Sequence, residues 1–191
     1  MDGEYGAAPA AAGGRDETRR VVRALASLAP SLMIALVTIL SALPWGLAPD
    51  LRFILPLLPY LAIHYWALRY PERVPAGVVF AAGLALDALT NGPLGYWALI
   101  YLAGHLVALW QSRRAGAGPG VRFLLLFSAL VILAVGEWSL ASLYYLQVAD
   151  WKPFALAVAA VGLVSPLFAF VFSQFEPRRE QPVRIHLERG S

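Results

Sequence analysis

The amino-acid sequence predicts an all-α, polytopic membrane protein with six transmembrane helices. Hydrophobic residues make up 59% of its 191 positions and charged residues only 14%, whereas about 25% of an ordinary soluble domain is charged. Apolar stretches alternate with short polar connections, and the basic residues gather in every second connection. A disordered chain would contain fewer apolar residues, and a soluble globule of this size could not bury so many.

Six apolar stretches approach the roughly 17–25 residues that a helix needs to cross the hydrocarbon core. They cover about residues 24–43, 53–69, 75–90, 93–111, 123–146 and 154–175. Residues 1–23 are rich in small and polar residues and predict a disordered cytoplasmic tail, and residues 176–191 predict a basic cytoplasmic tail. The first stretch is too long for the apolar region of a signal peptide, so none is expected.

Prolines mark the starts of several predicted helices. Pro75, Pro93 and Pro153 are expected in first turns, where a missing backbone N–H costs nothing. Pro56 and Pro59 crowd the start of the second stretch, so we expect that helix to be distorted.

Turn residues define the connections. Asn91-Gly92-Pro93 predicts a tight turn, which makes the third and fourth helices an antiparallel hairpin. The glycine-rich segment 116–120 predicts a flexible connection between the fourth and fifth helices. Asp150 precedes the sixth helix and is expected to cap it.

The distribution of basic residues predicts the orientation of the chain. Thirteen of the 15 lysines and arginines lie in the two tails and in the second–third and fourth–fifth connections, whereas Arg52 and Lys152 lie on the other side. By the positive-inside rule, both termini are cytoplasmic and the number of spans is even. The net charge of +3 therefore reports orientation. A nucleic-acid partner is not expected, and anionic lipids are expected at the cytoplasmic face.

Four ionisable side chains fall inside the predicted spans: His64, Asp87, His105 and Glu137. Such residues are costly in a bilayer, so each is a candidate functional residue. At a rise of 1.5 Å per residue, Asp87 and Glu137 lie roughly 18 and 21 Å from the inner face, and the histidines lie in a layer closer to it. For the two acids the alternatives are a polar clasp between helices, which we favour, a proton or ligand site, and partner docking. The histidines are expected to bond a neighbour or a lipid headgroup. Two histidines and two acids in different layers do not make three convergent metal ligands.

Small residues at four-residue spacing are a second kind of candidate feature. Gly77, Ala81 and Ala85 form such a ridge on the third stretch, and Gly83 and Asp87 lie on a neighbouring ridge. These ridges let helix backbones approach closely, and we expect packing within the molecule rather than against a second copy.

Catalytic templates are absent from the sequence. It has no cysteine, no glycine-rich phosphate loop with a lysine and no His-Glu-x-x-His motif. An aspartyl-type dyad of Asp87 and Glu137 is conceivable but has no supporting motif. We therefore expect neither an enzymatic activity nor a cofactor.

One block of the sequence resembles a known family. It reads P-x-R-V-x2-G-x5-G-x3-D-x6-L-G and consists of Pro71, Arg73, Val74, Gly77, Gly83, Asp87, Leu94 and Gly95. This block resembles MreD, the small integral-membrane rod shape-determining protein of bacteria. Tyr65-Trp66 upstream and Glu137 downstream extend the resemblance, which covers about residues 30–175.

The resemblance implies a non-enzymatic scaffold. MreD-like proteins sit in the bacterial cytoplasmic (inner) membrane, bind MreC and help to regulate cell shape and lateral peptidoglycan synthesis. Their elongation (rod) complex includes the actin-like MreB filament, RodZ, the RodA glycosyltransferase and a penicillin-binding transpeptidase. The implied fold is similar to that of the six-helix substrate-binding subunits of energy-coupling factor transporters. The candidate polar, packing or partner-docking residues are His64, Arg73, Gly77, Gly83, Asp87, Gly95, His105 and Glu137.

The related fold leaves one alternative open, a small-molecule-binding membrane subunit of a vitamin-type transporter. Subunits of that type are expected to carry an Ala-x-x-x-Ala motif on the first helix for their energising partner. Here Ala24, Ala26, Ala29 and Ala35 have no four-residue spacing among them, and the outward connections are short. Both points favour the scaffold.

Overall fold

The computed structural model describes residues 28–46, 48–113 and 118–176, and within these ranges every regular element is a helix. The six α-helices of the described residues are α1 Leu28–Ala42, α2 Leu57–Arg69, α3 Ala76–Thr90, α4 Tyr96–Ser112, α5 Pro119–Tyr144 and α6 Lys152–Ser173. Two short 3-10 helices, Pro49–Ile54 and Pro71–Arg73, precede α2 and α3. The all-α prediction is confirmed for these ranges. The N-terminal tail predicted for residues 1–23 and all but Glu176 of the predicted C-terminal tail lie outside them.

Two of these helices are long and apolar enough to cross a membrane. They are α5, which has 26 residues, and α6, which has 22, and 18-residue stretches within them have mean hydropathies of 2.1 and 2.4. Large apolar side chains such as Leu124 on α5 and Leu163 on α6 point away from the molecule, and Leu163 is 83% exposed. An apolar outer surface of this kind is typical of a membrane protein. Helices α1 and α3 are apolar but shorter.

The second helix begins at Leu57 rather than at about residue 53. Pro56 is the N-cap residue and Pro59 lies in the first turn, and neither has a backbone N–H to donate. The chain before them is wound more tightly, with the N–H of Leu55 bonded to the carbonyl of Arg52 at 3.3 Å. The predicted helix is therefore shorter at its start, and its first two residues belong to the 3-10 helix Pro49–Ile54.

The core is built around α2. Tyr60, Ile63 and Trp66 on this helix are fully buried. Helix α2 packs against α4 and α6, α4 packs against α3 and α5, and α5 packs against α6. Ile34 of α1 is buried in the same core. A helix of only 13 residues therefore lies at the centre of the bundle.

Helices α3 and α4 form the predicted hairpin. Asn91 ends α3 in the left-handed conformation, with φ at 53°. The backbone of α3 at Gly83 lies against Ala98 of α4, whereas Asp87, further along α3, bonds to the earlier residue Trp97. The two helices therefore run in opposite directions, which confirms the turn predicted at residues 91–93.

Three other helix starts show how local sequence determines the boundaries. Helix α4 begins after Gly95, whose φ of 93° is not helical, so Pro93 lies in the preceding turn and not in the first turn of α4. Helix α5 begins at Pro119 rather than at about residue 123, because a proline is pre-organised for the first helical position. The N-cap residue of α6 is Trp151 rather than Asp150, but the side chain of Asp150 accepts the N–H of Lys152, the first residue of α6, at 3.1 Å.

Candidate functional site

Asp87 joins two helices. Its carboxylate is fully buried near the end of α3. Oδ2 accepts the backbone N–H of Gly95 at 2.8 Å, and Oδ1 accepts that of Trp97 at 3.0 Å. The first N–H groups of a helix lack intrahelical partners and carry the positive end of its dipole, so a carboxylate there is stabilising. Asp87 thus caps α4 from the neighbouring helix, which is the geometry of an inter-helix clasp.

Two glycines of the same block shape this hairpin. A Cβ atom on Gly83 would overlap the backbone of Ala98, so only glycine permits the observed approach of α3 to α4. Gly95 is the N-cap residue of α4 and has the positive φ that glycine adopts most readily. Because glycine has no side chain, it cannot cap α4 itself, and Asp87 supplies the acceptor.

The ridge of Gly77, Ala81 and Ala85 points away from the molecule. All three residues are exposed, and a Cβ atom on Gly77 would meet nothing within 4 Å. The prediction that this ridge packs within the molecule is therefore wrong. Helix α3 instead uses a different face for α4, with Val79 and Leu86 on it.

Arg73 lies in the 3-10 helix before α3. Its guanidinium carbon stands 4.9 Å from the ring centroid of Tyr70, and its Nε is 3.8 Å from a carboxylate oxygen of Glu72. Its Nη1 is buried and has no hydrogen-bond partner among the described residues. Arg73 is thus held by a stacking contact rather than by a strong ion pair.

Glu137 occupies a different environment from Asp87. Only 3% of the residue is exposed, and within the described ranges no residue donates a hydrogen bond to its carboxylate. The Tyr96 hydroxyl donates to the backbone carbonyl of Glu137 at 3.2 Å. The side chain lines a cavity of about 460 Å³ between the ends of α4, α5 and α6. The two acids therefore have separate roles, since the oxygens of Asp87 are bonded to α4 and the carboxylate of Glu137 borders this cavity.

The two histidines are also separate. His64 on α2 donates from Nε2 to Oε1 of Gln111 at 2.8 Å. Nε2 of Gln111 in turn donates to the carbonyl of Leu125 at 3.0 Å and to Oγ of Ser128 at 3.2 Å. His105 is buried, and its Nδ1 has no hydrogen-bond partner in the described part of the chain. The His64 network connects α2, α4 and α5.

Sequence reasoning limited to ionisable groups misses Gln111, although this residue lies at the end of the predicted fourth span. A buried amide needs hydrogen-bond partners as a charged group does, so a glutamine in an apolar stretch is a usable signal. Gln111 is only 2% exposed and is the residue that connects all parts of this network.

A second cluster missed by sequence reasoning joins the ends of α2 and α6. The Tyr65 hydroxyl donates to Oε1 of Glu176 at 2.7 Å, and Nε of Arg69 lies 2.8 Å from the same oxygen. The Arg69 guanidinium carbon also stands 3.8 Å from the ring centroid of Tyr65. Two side chains of α2 and one that follows α6 therefore fix this end of the bundle.

In the described ranges no group of three or more histidine, aspartate or glutamate residues is placed to hold a metal ion. No family model, no curated protein and no solved structure matches the chain.

Proposed function

We propose that this protein is a non-enzymatic scaffold of a bacterial elongation complex of the MreD type, embedded in the cytoplasmic membrane and bound to an MreC-type partner. The observation that carries the proposal is the bonding of Asp87 to the start of α4. In the block that resembles MreD, the acid is bonded to two backbone N–H groups of α4, and Gly83 allows the close contact beside it. A block whose residues stabilise one helical hairpin supports a structural role better than a chemical one.

We further propose that all six α-helices cross the membrane, with both termini in the cytoplasm. Helices α1 and α4 also carry exposed large apolar residues, among them Leu36 and Leu106, so the apolar outer surface continues around the bundle. Contacts at both ends support an alternating direction of the chain. Arg69 meets Glu176 at one end, and the rings of Phe53 and Phe154 lie 5.1 Å apart at the other.

The charges support the same orientation. Arg69 and Arg122 lie at the end of the bundle that the positive-inside rule assigns to the cytoplasm, and Lys152 lies at the opposite end. Arginines at the cytoplasmic end would also meet anionic lipids there.

We propose the outward ridge of α3, formed by Gly77, Ala81 and Ala85, as the surface that receives the partner's membrane helix. Small residues let two helix backbones approach in lipid, where close packing drives association. The large side chains of Phe80 and Leu84 flank the ridge and are themselves exposed. They provide apolar contact area on either side of the close approach.

Co-purification tests this proposal. The full chain is co-expressed with a single-span, coiled-coil protein of the MreC type and purified in detergent. We expect a stoichiometric complex, which Ala81→Leu weakens by filling the ridge. Ala103→Leu, an exposed position on α4, is the matched control and should leave the complex intact. Failure of the wild-type chain to retain the partner would contradict the proposal.

One observation favours the alternative function, a small-molecule-binding subunit of a vitamin-type transporter. The cavity beside Glu137 has about 460 Å³, within the roughly 300–1,000 Å³ of typical ligand sites. Co-purification with an energising ATPase module instead of a coiled-coil partner would favour this alternative.

A further inference from the structure

The cavity beside Glu137 lies at the end of the bundle opposite to Arg69. It is formed where α4 and α6 begin, α5 ends and the 3-10 helix before α2 passes by. Its volume is about 460 Å³. If both termini are cytoplasmic, this end faces the outside of the cell.

The cavity contains one deeply buried carboxyl group. Glu137 is 3% exposed and lines the cavity, while no described residue donates a hydrogen bond to its carboxylate. Leaving a buried carboxylate unpaired is expensive, so a group that supplies a hydrogen bond or a positive charge would be held firmly there. Arg52 and Asp150 also line the cavity, but both are exposed, so Glu137 is the buried acid among its described lining residues.

The walls of the cavity are aromatic. Phe53 and Phe154 form one pair, with ring centroids 5.1 Å apart. Tyr96 and Trp97 form a second pair, with their ring planes nearly perpendicular and their centroids 5.4 Å apart. Aromatic faces attract cations, and they attract them more strongly where water is excluded. A carboxylate among aromatic rings is suited to an organic cation and unsuited to an anion.

We propose that this cavity binds a small organic ammonium ion, with its nitrogen at the Glu137 carboxylate and its apolar body against the aromatic walls. The ammonium group would come either from a free amine outside the cell or from the ethanolamine headgroup of a membrane lipid. The site does not depend on whether the chain acts as a scaffold or as a transporter subunit. Its failure would leave the partner complex proposed above untouched.

Calorimetric titration of the full chain in phosphatidylglycerol nanodiscs tests this site. The probes are phenethylamine and choline, each compared with its neutral counterpart, 2-phenylethanol and 3,3-dimethyl-1-butanol. We expect saturable binding of at least one amine, about tenfold or more tighter than that of its neutral counterpart. Equal affinity for amine and alcohol, or no saturation by either amine, would overturn the proposal. If neither amine saturates the site, a lysine or arginine side chain of a partner protein would be the group that binds Glu137 instead.

Substitutions of cavity residues test whether the amine probe binds in this cavity. Glu137→Gln should abolish the preference for the charged probe, and Glu72→Gln, an exposed acid at the other end of the bundle, should keep it. If Glu137→Gln does not fold, Tyr145→Ala at the exposed rim of the cavity should lower the affinity for the amine several-fold. Retention of the full preference by both cavity variants would overturn the assignment.

A lipid series identifies the source of the ammonium group. If the ethanolamine headgroup is the natural occupant, adding phosphatidylethanolamine to the nanodiscs should raise the apparent Kd of the free amine. An unchanged Kd would indicate a free amine instead.

Discussion

The carboxylate of Asp87, near the end of α3, accepts the backbone N–H of Gly95 at the start of α4 at 2.8 Å. One buried acid thus completes the first turn of a helix whose N-cap residue lies eight residues further along the chain. The α3–α4 hairpin depends on this bond, on the second bond to Trp97 and on the close contact at Gly83.

Replacing Asp87 should destabilise the hairpin. Asp87→Ala removes both acceptors and leaves the half-buried N–H of Gly95 and the buried N–H of Trp97 unpaired, so we expect a loss of about 1–3 kcal/mol in the free energy of unfolding. Asp87→Asn keeps one acceptor oxygen, so its free energy of unfolding should lie between those of the wild type and of Asp87→Ala. Thermal unfolding in detergent measures the loss. Asp150→Ala also removes an acceptor for the first N–H of a helix, but at an exposed site, so an equal loss there would contradict the special role of Asp87.

Two glycines on α3 should respond in opposite ways to the same change. Gly83→Ala places a methyl group against the backbone of Ala98 and should cost about 1–3 kcal/mol through forced separation of the helices. Gly77→Ala meets open space and should be neutral or stabilise the helix by up to about 1 kcal/mol. The unfolding midpoints of the two variants are compared directly. Similar midpoints would mean that α3 and α4 are not packed as described.

The side-chain amide of Gln111 should contribute substantially to the stability of the fold, although it carries no charge. Gln111→Leu leaves Nε2 of His64 without its acceptor and removes two bonds to α5, so we expect a loss of about 1–3 kcal/mol in stability. Gln174→Leu, an exposed glutamine after α6, serves as the control and should change little. Equal behaviour of the two variants would refute the network.

The proposed orientation can be tested by cysteine labelling, because the chain has no cysteine of its own. Val148→Cys, in the exposed connection between α5 and α6, should react with a membrane-impermeant maleimide in intact spheroplasts. Gly118→Cys, before α5, should react only after permeabilisation. Both positions leave the basic residues unchanged. Reaction of both in intact spheroplasts, or the reverse pattern, would contradict the assignment of both termini to the cytoplasm.

Features determined within a few residues can be read from the sequence. The turn at Asn91 is one, because asparagine and glycine readily adopt the positive φ that a tight turn requires. The late start of α2 can be read in part from the sequence, since Pro56 and Pro59 already indicate distortion there. Their exact effect depends on which carbonyl each neighbouring N–H reaches, and this requires coordinates.

Features determined by helix placement cannot be read in the same way. The spacing of Gly77, Ala81 and Ala85 identifies a ridge, but its direction depends on the face of α3 that meets α4. The depth estimate places Asp87 and Glu137 in one layer, but it does not reveal that one caps a helix and the other borders a cavity. The contact of Tyr65 with Glu176 spans 111 positions in the sequence and has no local signal.

Photocrosslinking in growing rod-shaped bacteria tests the proposed scaffold most directly. p-Benzoylphenylalanine replaces Phe80, beside the α3 ridge, or Phe170, an exposed position on α6 that serves as the control. We expect a covalent adduct with the MreC-type partner from position 80 and none from position 170. No adduct from position 80, or adducts of equal yield from both positions, would contradict the proposed scaffold.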